Sequence, residues 1–124
     1  MKISILLPYK ENFSPDYPGA VSLFVYETSK ISKYKKSITV YGNTNYRNRF
    51  NLNYVNIELK KKLFSSQTKN YVNKFIKLEK SKKTSIIEVH NRPSYIDILY
   101  SKIKDRVITL YFHNDPLSMN GSKT

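Results

Sequence analysis

Two short stretches carry the residues best suited to chemistry. His90-Asn91-Arg92 and His113-Asn114-Asp115 each follow an apolar run, and each begins with an imidazole and an amide. Histidine exchanges protons near neutral pH, and its two ring nitrogens give oriented hydrogen bonds. Arg92 adds a planar fork of donors and Asp115 a carboxylate. Earlier in the chain, Pro18-Gly19-Ala20 precedes a helical pattern, and small residues there let a ligand approach the unpaired N–H groups of a helix start. Such a set can hold phosphate and sugar hydroxyls. Plainer roles compete for every one of these residues. A histidine after a strand often only bonds a neighbouring loop, Arg92 has Asp97 and Asp115 as salt-bridge partners, Asp115-Pro116 suits a turn, and Pro-Gly before a helix is commonly just a turn. His113 leans towards function because it ends the best-defined apolar run.

These groups converge only if the elements before them are parallel strands linked by helices. Residues 107–112 (VITLYF) are β-branched and aromatic without a charge, which predicts a central strand buried on both faces. Residues 2–8 (KISILLP) predict a second central strand closed by Pro8, residues 37–41 (SITVY) a third, 84–89 (TSIIEV) a fourth, and 54–58 a short one near an edge. Between them, Val21, Phe24, Val25, Thr28 and Ile31 recur at helical spacing. So do Tyr71, Val72, Phe75 and Ile76 within 66–80, and Ile96, Leu99, Tyr100 and Ile103 after Ser94. Ser94 and Asp97 have the spacing of a capping box. The order β-α-β-β-α-β-α-β predicts a Rossmann-like, doubly wound, mostly parallel α/β sheet in a single domain over 1–124. In such sheets ligands bind outside the carboxyl ends of the strands, where both histidines and Gly19 fall.

Composition narrows the classes further. Without cysteine there is no disulfide or thiolate metal site. Two histidines and one aspartate lack the number and spacing of a zinc ligand set. There is no P-loop and no Gly-x-Gly-x-x-Gly fingerprint, which argues against a dinucleotide cofactor. No apolar run reaches membrane-spanning length and no secretory signal pattern opens the chain, so a cytoplasmic location is expected. The net charge of +13 comes from 22 Lys and Arg against 9 Asp and Glu. Lys69, Lys74, Lys77 and Lys80 concentrate part of it on one helix. AT-rich coding explains much of a Lys, Asn, Ile and Tyr excess. The remainder suggests a mild pull towards an anionic membrane surface, and the lack of Arg-rich or aromatic-Gly signatures disfavours nucleic acid.

The residues KISILLP, PGAVS, IIEVHNRPSYI and YFHNDPLSMNGSKT together resemble the amino-terminal domain of GT-B glycosyltransferases of family 4. The resemblance implies the amino-terminal, acceptor-side half of a two-domain fold. It also implies retaining transfer of a sugar from a nucleotide-sugar co-substrate to a glycan or lipid-linked acceptor, in cell-surface polysaccharide or glycolipid synthesis, with no metal or other cofactor. By the same resemblance His113 is the catalytic candidate, contacting the reacting sugar. Gly19 and Ala20 lie by the donor diphosphate and acceptor, His90, Asn91 and Arg92 line the acceptor side, and Asn114 and Asp115 shape the pocket. The family's usual first-loop glycine pair is reduced here to Gly19, and the carboxy-terminal donor-binding domain, with its basic residue and paired glutamates, is absent. The chain alone is therefore expected to be a truncated or split half that does not catalyse transfer. The competing expectation is a non-enzymatic Rossmann-like module that binds an anionic partner, nucleic acid or a membrane surface, through its lysine-rich helix.

Overall fold

Five parallel strands form one sheet in the order β3-β2-β1-β4-β5, in a computed structural model that describes residues 1–60 and 66–113. The strands are β1 (Ile3–Leu6), β2 (Ile38–Gly42), β3 (Tyr54–Asn56), β4 (Ile86–His90) and β5 (Val107–Tyr111), joined by helices α1 (Ala20–Lys30), α2 (Gln67–Lys80) and α3 (Pro93–Lys102). The expected Rossmann-like α/β class and the order of elements are both present. β1 is central because its residues pair on both sides, Ile3 with Ile38 of β2 and with Ile86 of β4. The chain leaves β1, winds outward through β2 to β3, then returns across the sheet to β4 and β5.

Side chains alternate between the two faces of each strand, so the sheet separates two cores. Leu6, Tyr41, Ile87 and Val89 meet Tyr71, Val72, Phe75 and Ile76 of α2 and Tyr95 and Leu99 of α3. On the opposite face Ile5, Leu7, Ile38 and Val40 meet Val21 and Val25 of α1 and Phe13 of the β1–α1 loop. Among the described residues two helices therefore cover one face, and α1 covers the other, chiefly over β1 and β2.

That asymmetry corrects the reading of 107–112 as a strand buried on both faces. Among the described residues β5 is the sheet's edge. Ile108 and Leu110 pack into the α2–α3 core, whereas Val107, Thr109 and Tyr111 on the α1 side are exposed. A two-faced apolar run marks a strand that can be buried on both sides; among the described residues α1 reaches its side of β5 through Phe24, at Tyr111, and leaves that side exposed.

Two helix faces also differ from expectation. In α1 the buried residues are Val21, Ser22, Val25 and Ser29, while Thr28 is exposed and Ile31 lies past the last turn with 81% of its surface open. In α3 Tyr95 and Leu99 are buried, with Ile96 packed against the same core and Ile103 buried just past the helix as expected, while Tyr100 points outward. The expected Ser94–Asp97 capping box is not formed. Pro93 takes the first helical position, where its fixed φ suits the helix, so Ser94 is already inside it and Arg92 is the N-cap. α2 matches its expected face, and the Ser66 hydroxyl caps it by accepting from the Lys69 N–H.

Candidate functional site

The carboxyl ends of β4 and β5 meet at the histidines. His90, the last residue of β4, is 2% exposed, and its Nδ1 stands 2.7 Å from Nε2 of His113. One backbone device holds the two loops together. Asn91 adopts φ 55°, a left-handed conformation that asparagine tolerates better than most residues. In that pose its N–H donates to Tyr111 O (2.9 Å) and its Oδ1 accepts from the His113 N–H (2.8 Å). Asn91 thus sets the distance between the rings and is itself buried.

Aromatic rings fix the orientation of the pair. Tyr111 stacks near His90 at 5.3 Å, and Phe24 of α1 meets the His113 ring edge-on at 4.7 Å. The remaining nitrogen of His90, Nε2, is buried without a hydrogen-bond partner among the described residues, 3.5 Å from Oε2 of Glu88 on the same strand. Burial and the neighbouring His90 ring hold His113 below its usual pKa, with Glu88 pulling weakly the other way. At neutral pH His113 is therefore an uncharged imidazole, able to accept or donate one hydrogen bond without carrying charge. With their facing nitrogens 2.7 Å apart, the rings are bonded to one another. A metal held between them at about 2.0–2.1 Å from each nitrogen in tetrahedral geometry needs a wider gap.

Arg92 follows directly but turns back, its Nη1 donating to Asn91 O at 2.8 Å. It pairs with no carboxylate among the described residues, so the salt bridge to Asp97 is not formed. Asn114 and Asp115 lie outside the described residues. Gly19 is the N-cap of α1 and Ala20 its first residue, at the same edge of the sheet as the histidines.

The start of α1 holds an anion that the sequence reading did not anticipate. The Glu11 carboxylate lies against Gly19 and accepts from the Ser22 N–H at 3.2 Å. A Cβ on Gly19 would fall 1.4 Å from Oε2 of Glu11, so the missing side chain is what seats this carboxylate. The helix dipole and free N–H groups favour a negative charge there, and the protein supplies it. The spot expected to receive a ligand phosphate is thus filled from within. Nothing in the loop sequence signals this, since Glu11 sits in a run without periodicity.

A second polar cluster lies at the carboxyl ends of β2 and β3. Thr44 binds the Phe13 N–H, its hydroxyl pairs with the Tyr54 hydroxyl at 2.7 Å, and Asn56 Oδ1 accepts from both the Thr44 N–H and Tyr54. Tyr71 and Tyr95 add bonds to Leu7 O and from the Tyr9 N–H. Their combined effect is to pin the loop that carries Glu11.

A Rossmann-like α/β sheet with two polar clusters at the carboxyl ends of its strands is the class that the fold and site define. No family model, no curated protein and no solved structure matches the chain.

Proposed function

We propose that the chain is the acceptor-side, amino-terminal domain of a retaining GT-B glycosyltransferase that transfers sugar from a nucleotide sugar to a glycan or lipid-linked acceptor. The observation that carries this reading is the histidine pair. Two imidazoles at the ends of β4 and β5, aligned by Asn91 and walled by Phe24 and Tyr111, suit uncharged hydroxyls and offer little to a metal or a dinucleotide. His113 would contact the reacting sugar, with His90, Asn91 and Arg92 behind it on the acceptor side. Asn91 contributes chiefly by holding His113, because its N–H and its Oδ1 are both engaged. The donor nucleotide would be gripped by a second domain across the cleft. The sheet edge would then supply orientation and electrostatic placement of charge in the transition state.

The test is label transfer. The protein, expressed with whatever coding sequence continues its frame, is incubated with nucleotide sugars labelled in the sugar and with membrane lipid and glycan acceptors. Label entering an acceptor, reduced at least tenfold by His113→Ala without loss of thermal stability, is the expected result. Unchanged transfer in that variant removes His113 from the site, and no transfer from any donor once a second, donor-binding domain is supplied, on the same or a separate chain, overturns the reading.

A second reading is favoured by one separate observation. Lys69, Lys74, Lys77 and Lys80 on α2 are all exposed, and two surface depressions of about 290 and 620 Å³ beside the helix are lined by Lys60, Lys74, Lys77, Lys80 and Lys102. That face suits an anionic partner, such as a membrane surface, without any transfer chemistry. Among the described residues no helix is long and apolar enough to cross a membrane, so contact through α2 would be peripheral. Binding to anionic vesicles that vanishes on raising salt, with no sugar transfer, would favour this reading.

A further inference from the structure

We infer that Glu88 and His90 are positioning residues that fix the proton between the two histidines on His113 Nε2, so that His113 offers its bare Nδ1 to a hydrogen-bond donor. The proton arrangement follows from geometry. Only the identity of the donor, a sugar hydroxyl, rests on the glycosyltransferase reading.

Two nitrogens 2.7 Å apart must share one proton, and two neutral arrangements satisfy that. In the first, His90 Nδ1–H donates to His113 Nε2. The other nitrogen of His90 is then a bare lone pair, buried, facing the Glu88 carboxylate at 3.5 Å with no donor between them. Two acceptors facing each other repel, and the buried one, on His90, loses its hydration without compensation. In the second, His113 Nε2–H donates to His90 Nδ1, and His90 turns an Nε2–H towards Glu88. The carboxylate then meets a positive hydrogen, and every ring nitrogen between Glu88 and His113 has a complementary neighbour. Glu88 decides between the two, and it selects the second.

A neutral imidazole carries a single N–H, so in the second arrangement His113 Nδ1 is an acceptor. An acceptor binds hydroxyl donors and repels the oxygens of a phosphate. The site would therefore read a sugar hydroxyl at His113, with the anion-favouring start of α1 already taken by Glu11. Few charges disturb this. Among the described residues the titratable groups facing the pair are Glu88 on β4 and Tyr111 on β5, α1 presents the uncharged Phe24, and the Arg92 guanidinium is turned to Asn91 O.

The test reads the ring nitrogens directly, by two-bond proton–nitrogen correlation spectra of the histidines in the full chain at neutral pH. Both histidines are expected as Nε2–H tautomers. Glu88→Gln, which keeps the shape but can donate a hydrogen bond to His90 Nε2, should move both rings towards the Nδ1–H form. It should also shift the His113 titration to lower pH. A wild-type spectrum with His113 as the Nδ1–H tautomer overturns the inference, and it does so even if the variant fails to fold. So does a folded Glu88→Gln protein with unchanged nitrogen shifts. Methyl glycosides added to the wild type should move the His113 Nδ1 resonance, while inorganic phosphate should not. If the tautomers are as expected but no glycoside shifts that resonance, the proton arrangement stands and the sugar assignment falls.

Discussion

Protonating His113 opposes folding, and the direction of its shift says where in pH this is felt. Its folded pKa lies below the usual 6.5 because of burial and the His90 ring, so between those two values the unfolded chain binds more protons than the native one. This contribution to stability is complete above about pH 6.5 and is lost as pH falls through the lowered value. Urea unfolding of wild type and His113→Gln, compared across that window, should show the wild type losing stability faster on acidification. The comparison must be a difference, because burial raises the Glu79 carboxyl above its usual value and acts with the opposite sign above pH 4.5. Gly19 gives a second expectation at this scale. Gly19→Ala would drive the Glu11 carboxylate off the helix start and should cost about 1 kcal/mol, the usual worth of a lost helix cap. In a Glu11→Ala background the same substitution should cost much less, a coupling that a double-mutant cycle measures directly. The histidines were legible in sequence as residues ending apolar runs. Their hydrogen bond, the Asn91 clasp and the Glu11 plug were not, because each depends on how two loops from different strands approach.

At the scale of elements, α2 was legible almost to the residue, since Ser66 caps it and its apolar positions recur at three and four. Ser66→Ala should lower stability by about 1 kcal/mol in urea melts. α1 was harder because two of its four buried residues are serines, which no apolar pattern detects. α2 also carries a buried carboxylate that periodicity assigned to no role. Glu79 accepts from Ser4 Oγ at 2.8 Å and lies 3.6 Å from Arg106 Nε, joining the end of the helix to β1 and to the residue before β5. Removing one partner of a buried ion pair strands the other, so Glu79→Ala should destabilise by about 3 kcal/mol. Glu79→Gln, which keeps the Ser4 bond, should cost less.

Across the whole molecule, the alternation of strand and helix patterns was enough to specify a parallel sheet, while the extent of helix cover over each strand was not. A run such as VITLYF reads the same whether one face or both is covered. Charge is a property of the same scale. With a net +13, the protein should bind anionic vesicles at low salt and release them as salt rises, and replacing Lys74, Lys77 and Lys80 with Gln should weaken that binding more than changing three lysines elsewhere. Cosedimentation at several ionic strengths would measure it. The central place of β1 has a further consequence, for the order in which the protein can be made. Ile3 to Leu6 leave the ribosome before either partner strand, so one edge waits for Ile38 to Tyr41, and the other for Ile86 to Val89. Until β4 emerges, β1 carries a row of unpaired backbone groups on that edge, and the β1–β4 pairing spans about eighty residues of chain. Such a topology folds slowly, and its nascent chain is exposed to mispairing until β4 is made.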